Sequence, residues 1–288
     1  MRKYFLTTCM SLLLSAACTT FETPLTQGDP AAVVAYGYTP LDPLPINLKI
    51  PMNYRPTNQD LLDMMPDETM RLGIGTLSAS GAVSFGPASA GYAGNSYVVV
   101  LDYTKCTTSQ IGLQRVEVDG KAVYSLARFA LDAPAPNVIL PVYVGVGLRL
   151  TATITIMEGS VELSNLLALG AAVEAKRASG TLVIQTLGLS GEGISTAIPI
   201  PSELNETTIQ NALMAMGAVK AKTYDQKTLV TPRVVGFYNS VGGGKDAVNG
   251  LISCLLEEPI PVELPLRPML QDESGPIGER PPPDENNQ

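Results

Sequence analysis

The chain has 288 residues, 45% of them hydrophobic and 16% charged, a formal net charge of −8, and neither His nor Trp. Without His, Ser-His-Asp and Cys-His catalysis, His general bases and His metal ligands are all excluded. Without a run of Lys or Arg, a nucleic-acid-binding face and polybasic adhesion to anionic headgroups are excluded too.

The chain opens on "MRK", a positive n-region, followed by "YFLTTCMSLLL". That apolar stretch is shorter than the about 20 residues a membrane-spanning helix needs. "SAAC" follows, with small residues before Cys18, and this order is the secretory signal pattern. The stretch Leu14-Ser15-Ala16-Ala17-Cys18 resembles the lipobox of bacterial lipoproteins, with Ser15 where Leu is usual. The resemblance covers the leader alone. It implies a diacylglycerol on the Cys18 thiol, cleavage before Cys18 and acylation of the new amine (palmitate is a common acyl group). Thr19, which is not a retention residue, then implies outer-membrane sorting. The alternative is an ordinary signal peptide cut after Ala17, which also exports the chain. Losing residues 1–17 removes Arg2 and Lys3 and no acid, moving the net charge from −8 to about −10.

Residues 18–56 are rich in proline with no sustained period, and read as an extended tether. The body is expected over residues 57–258. "NQDLLDMMPDETM" suggests a helical turn before Pro66, and "MRLGIGTLSASGAVSFG" alternates like a strand or hairpin. "SYVVVLDYT" reads as a strand, and Asp119-Gly120 in "VDGKAV" as a tight hairpin turn.

From Val142 to Ile156 every even-numbered residue is apolar, and the residues between are Tyr143, Gly145, Gly147, Arg149 and three threonines. Period two over fifteen residues predicts a strand much longer than the usual five or six. Its apolar face has two candidate partners. One is the protein core, with Gly145 and Gly147 marking close approach of another backbone on the second face. The other is lipid, in a barrel to which each subunit lends a hairpin.

Three helices are expected farther on. The first spans about Ser164 to Ser179, capped by Ser164, its small residues Gly170, Ala171, Ala172 and Ala175 suited to pack over the strand glycines. The second begins at a capping box of Thr207 and Gln210, and the third is "KDAVNGLISCLLE". "GTLVIQTLGLSG" between the first two reads as a strand. Strands first and helices later predict an α+β domain: a mainly antiparallel sheet in the N-terminal half of the body and about three helices in the C-terminal half. Residues 259–288 are acidic, rich in proline, and read as largely disordered.

Few patterns carry chemistry. Asp63, Asp67, Glu68, Asp102, Glu117 and Asp119 lie in polar, turn-like stretches and read as solvated acids. "GGGK" at Gly242 to Lys245 lacks the earlier Gly and the following Ser or Thr of a phosphate loop. Met214 and Met216 diverge on a helix and read as packing rather than a copper site. Cys9 falls in the leader and Cys18 at its end, leaving Cys106 and Cys254. Two thiols in an oxidising compartment suggest one disulfide. No catalytic residue, metal site or cofactor is expected. The expected protein is an outer-membrane lipoprotein, on the periplasmic or surface side, that binds or scaffolds an envelope protein or glycan. A lipoprotein pore subunit for export is the alternative, and a His-independent hydrolase a distant third.

Overall fold

The structure is a computed structural model that describes residues 37–50, 54–86, 96–119, 121–127, 138–239 and 244–263. Its spine is two long antiparallel strands, β5 (Ser96–Val118) and β7 (Val138–Ile156), paired from Ser96↔Thr155 to Leu113↔Val138. Each is long because it serves two partners on its other edge. Along β5 these are β3 (Asp67–Leu77) and β6 (Lys121–Leu126). Along β7 they are β12 (Arg233–Asn239) and β8 (Ala178–Leu187). Strand β1 (Gly37–Leu44) adds to β12, and β4 (Val83–Gly86) to β3, giving the order β1-β12-β7-β5-β3-β4. The fold is α+β, built on one large antiparallel sheet.

The sheet coils hard enough for β1 to lie against β3 and β4 at its other edge. Glycine makes this coil sterically allowed. A Cβ on Gly147 would sit 2.0 Å from the Tyr103 carbonyl oxygen, and one on Gly145 would sit 2.6 Å from that of Lys105. The backbone that approaches these glycines is therefore that of β5, within the sheet itself.

The even-numbered side chains Val142, Val144, Val146, Leu148, Leu150, Ala152 and Ile154 are all buried against protein. Over them lie α2 (Leu166–Glu174) and α4 (Glu206–Lys222), the latter presenting Ile209, Ala212, Met216 and Val219. Two short helices, α1 (Asn58–Asp63) and α3 (Glu192–Ser195), close the flanks. Helix α5 (Gly244–Glu257) covers β6 with the buried Leu251 and Leu255.

Several expectations need correction. Residues Gly37–Lys49, read as tether, form β1 and β2 (Asn47–Lys49). Pro40 and Pro43 are tolerated because β1 is an edge strand with an irregular register between Pro40 and Leu44. Beyond residue 258, β13 (Pro261–Glu263) pairs in parallel with β2 and buries Val262. The first long helix is capped by Asn165, not Ser164, and Lys176 in the left-handed region (φ 57°) ends it early. The second is capped by Asn205, which forms its box with Thr208 rather than Thr207 with Gln210. Gly170 meets the backbone of Glu206, so the small-residue helix packs on α4 and β8 and not on Gly145 and Gly147. Strands β8 to β13, including β9 (Leu189–Ser190), β10 (Ser202–Glu203) and β11 (Leu229–Val230), interleave with the helices.

Candidate functional site

Titratable groups converge on the face of the sheet opposite α2 and α4. Register sets Arg71 (β3), Asp102 (β5) and Arg149 (β7) directly across three neighbouring strands, a plus-minus-plus row. Asp102 is fully buried and Arg149 is 5% exposed. Arg149 grips the carboxylate in bidentate fashion, Nε to Oδ1 and Nη2 to Oδ2, both at 2.7 Å. Its remaining N–H bonds go to the carbonyls of Leu41 (2.6 Å) and Val235 (2.8 Å). The Tyr38 hydroxyl donates to Asp102 Oδ2. One ion pair thus ties β5 and β7 to β12 and to the edge strand β1, holding the coil closed.

Arg71 points along the sheet toward Tyr143. Its Nη1 donates to Thr69 Oγ1, to Thr104 Oγ1 at 3.1 Å and to Cys106 Sγ at 3.4 Å. Its guanidinium carbon lies 3.8 Å from the centre of the Tyr143 ring, a cation–π contact. Tyr143 in turn meets the Tyr38 ring at 5.8 Å and 56°. Gly236 leaves the room for Tyr38, since a Cβ there would come within 2.6 Å of its ring.

The electrostatics follow from burial plus pairing. Burial opposes the Arg149 charge, but the hydrogen bond and charge of Asp102 outweigh it and hold the guanidinium above its ordinary pKa. Burial also pushes the Tyr38 phenol well up, and the charge and hydrogen bond of Asp102 push the same way. The folded state therefore keeps Tyr38 protonated where an unfolded chain ionises it, near pH 10. That contribution is present below about pH 10 and is lost as pH rises beyond it. Above pH 10, urea midpoints of a Tyr38→Phe variant should fall less steeply than those of the parent. Equal slopes would show that Tyr38 is not protected.

This arrangement is chemically closed: both oxygens of Asp102 are occupied by donors that are themselves held. The solvated reading of Asp102 is thus overturned. The signal that marks it is parity, because Asp102 shares a strand face with Val98 and Val100, both buried. Glu68 is also engaged, with Lys220 of α4 and the Tyr103 hydroxyl at 2.7 Å, and Lys220 above all holds its carboxyl below the usual range. Asp63 accepts from Gln59 at 2.8 Å, whereas Glu117 and Asp119 are exposed at a hairpin tip.

Cys106 and Cys254 are free thiols. The first sits within the sheet beside Arg71, and the second donates to the Tyr124 carbonyl at 3.2 Å under α5, so the pairing that their count suggested is not made. Burial, and secondarily Glu257, push the Cys254 thiol up, away from thiolate reactivity. Among the described residues no three Cys, Asp or Glu side chains come together to hold a metal ion. Met216 is buried and Met214 exposed. Cys18, Gly242 and Gly243 lie outside the described residues.

No protein-family model, curated protein or solved structure matches this chain.

Proposed function

We propose that this chain is a lipoprotein, anchored in the bacterial outer membrane through Cys18, whose body binds or scaffolds another envelope component without catalysis. The observation that carries the non-catalytic reading is the saturation of Asp102 by Arg149 and Tyr38. A general acid or base needs a free lone pair or proton within reach of substrate. The carboxylate buried at the centre of this sheet offers neither. The anchor rests on "LLSAAC". Several acyl chains, each gaining about 0.8 kcal/mol per buried methylene, hold a protein firmly on a bilayer. The acidic balance of the chain favours an envelope protein or glycan over nucleic acid as partner.

The pore reading keeps one observation in its favour, the length of the β5–β7 pair. Against it, the apolar alternation of β7 is spent on protein, with Leu148 and Leu150 buried under helices. Cell fractionation tests the anchor: the parent chain should pellet with outer membrane, and Cys18→Ala should move to the soluble periplasmic fraction. A variant that pellets as firmly as the parent would remove the lipid from the account. The size of the detergent-extracted parent separates scaffold from pore, because a pore must run as a large ring.

A further inference from the structure

Beyond the body, β5, β6 and the start of β7 continue as a three-stranded arm. One face of the arm is in the core: Ile111, Leu113 and Leu140 are buried, with Leu251 and Leu255 of α5 packed in the same core. The opposite face is open. Register places Val116 directly across from Val123, with Val118 two residues on, and Ile139 across from Gly112 on the same side. Tyr238 at the end of β12 shares that side through the pairing of Gly236 with Tyr143. These five side chains are each between 43% and 55% exposed. The strand positions that flank them are uncharged, Thr108, Gln110 and Gln114 along β5 and Ser125 on β6. Among the described residues, register sets no carboxylate on this face of a chain whose net charge is −8.

We propose that this open face of the β5–β6–β7 arm docks on the lipid surface to which Cys18 anchors the chain. The proposal rests on the anchored reading above. The point where the chain enters the fold carries the choice of occupant. Gly37, the first residue of β1, pairs with Asn239, two residues beyond the Phe237↔Val142 pair and so near the arm end of β7. Between Cys18 and Gly37 run only the residues from Thr19 to Tyr36, which span at most about 60 Å. That is about the length of β7 itself, at roughly 3.3 Å per residue. Because the tether joins the fold at the arm end, it holds that end nearer the bilayer on average than the opposite end, at Met157. Apolar β-branched side chains rimmed by a tyrosine suit the headgroup–acyl boundary.

The absence of Trp from the chain supplies the test. Single-Trp variants Val118→Trp and Val123→Trp report on the arm, both at exposed positions so that the fold is kept, and Met157→Trp reports on the far end. The lipidated full chain is reconstituted on vesicles of phosphatidylethanolamine and phosphatidylglycerol, with or without brominated acyl chains. The expected result is flotation of all three, with a blue shift and loss of most of the emission to brominated lipid for the two arm reporters, and neither for Met157→Trp. Flotation with the arm reporters still fully aqueous overturns the proposal and leaves the anchor standing. Equal quenching at both ends overturns it as well. Failure to float removes the anchor and the proposal together. A blue shift of Val118→Trp on raising the concentration of the Cys18→Ala chain, without vesicles, assigns the face to a second copy and overturns the lipid assignment.

Discussion

Asp102→Ala is expected to cost about 3 to 5 kcal/mol of folding stability, the range for removing one partner of a buried ion pair. Arg149 would remain in the coil with its guanidinium 5% exposed and its bonds to Leu41 and Val235 intact, but with no counter-charge. Tyr38 would lose its acceptor at the same time. Against a total of about 5 to 15 kcal/mol for a folded domain, such a loss leaves little margin. The double variant Asp102→Leu, Arg149→Met should recover much of it, because a well-packed apolar pair often replaces a buried ion pair at no cost. Denaturant midpoints of the two single variants and the double variant measure the coupling. A loss below about 1 kcal/mol for Asp102→Ala would mean that water reaches the pair and that the coil is closed by packing alone.

Leu148→Ala should cost about 2 to 5 kcal/mol, the transfer of the lost methyl groups plus the cavity left behind. Leu148 is fully buried between β5 and β8, and helices already occupy that face of the sheet. Its neighbours are strands held on both edges, so the site can collapse little. Val116→Ala, on the open arm, is the matched control and should lie within about 0.5 kcal/mol of the parent. The measurement is thermal melting of residues 19–288 in detergent-free buffer. A cooperative monomeric melt with a large loss for Leu148→Ala fits a protein core. An insoluble chain, or one indifferent to Leu148→Ala, would mean that this face of β7 meets lipid.

How much of this was legible can be judged residue by residue. The alternation from Val142 to Ile156 correctly reads as a strand buried on its even face, because a period of two has no other common cause. Gly145 and Gly147 do mark a close backbone approach, but from the paired strand β5 within the sheet and not from an element on the second face. The helix near Ala212 and Met216 is plain from its spacing, yet its cap is not. Asn205, Thr207 and Thr208 all qualify locally, and the choice depends on where β10 delivers the chain. Proline frequency misreads Gly37–Leu44 as tether, since composition does not say that an edge strand tolerates proline. Strand β12 escapes the sequence reading because "RVVGFYN" is short and flanked by breakers.

The sequence by itself determines an acidic, His-free chain whose opening residues up to Cys18 resemble an export leader, and a long strand with one apolar face along its even-numbered residues. Those properties are local: residue type, charge count and periodicity along a single segment. Only the tertiary structure decides that Asp102, Arg149, Tyr38 and Arg71 meet, that Cys106 and Cys254 do not, and that one face of the arm stays uncovered. These depend on strand register and on the coil of the sheet. Asp102 and Arg149 are 47 residues apart, Tyr38 and Asp102 are 64. A one-residue slip in the β5–β7 register would turn Arg149 away from Asp102, and no local pattern records that alignment.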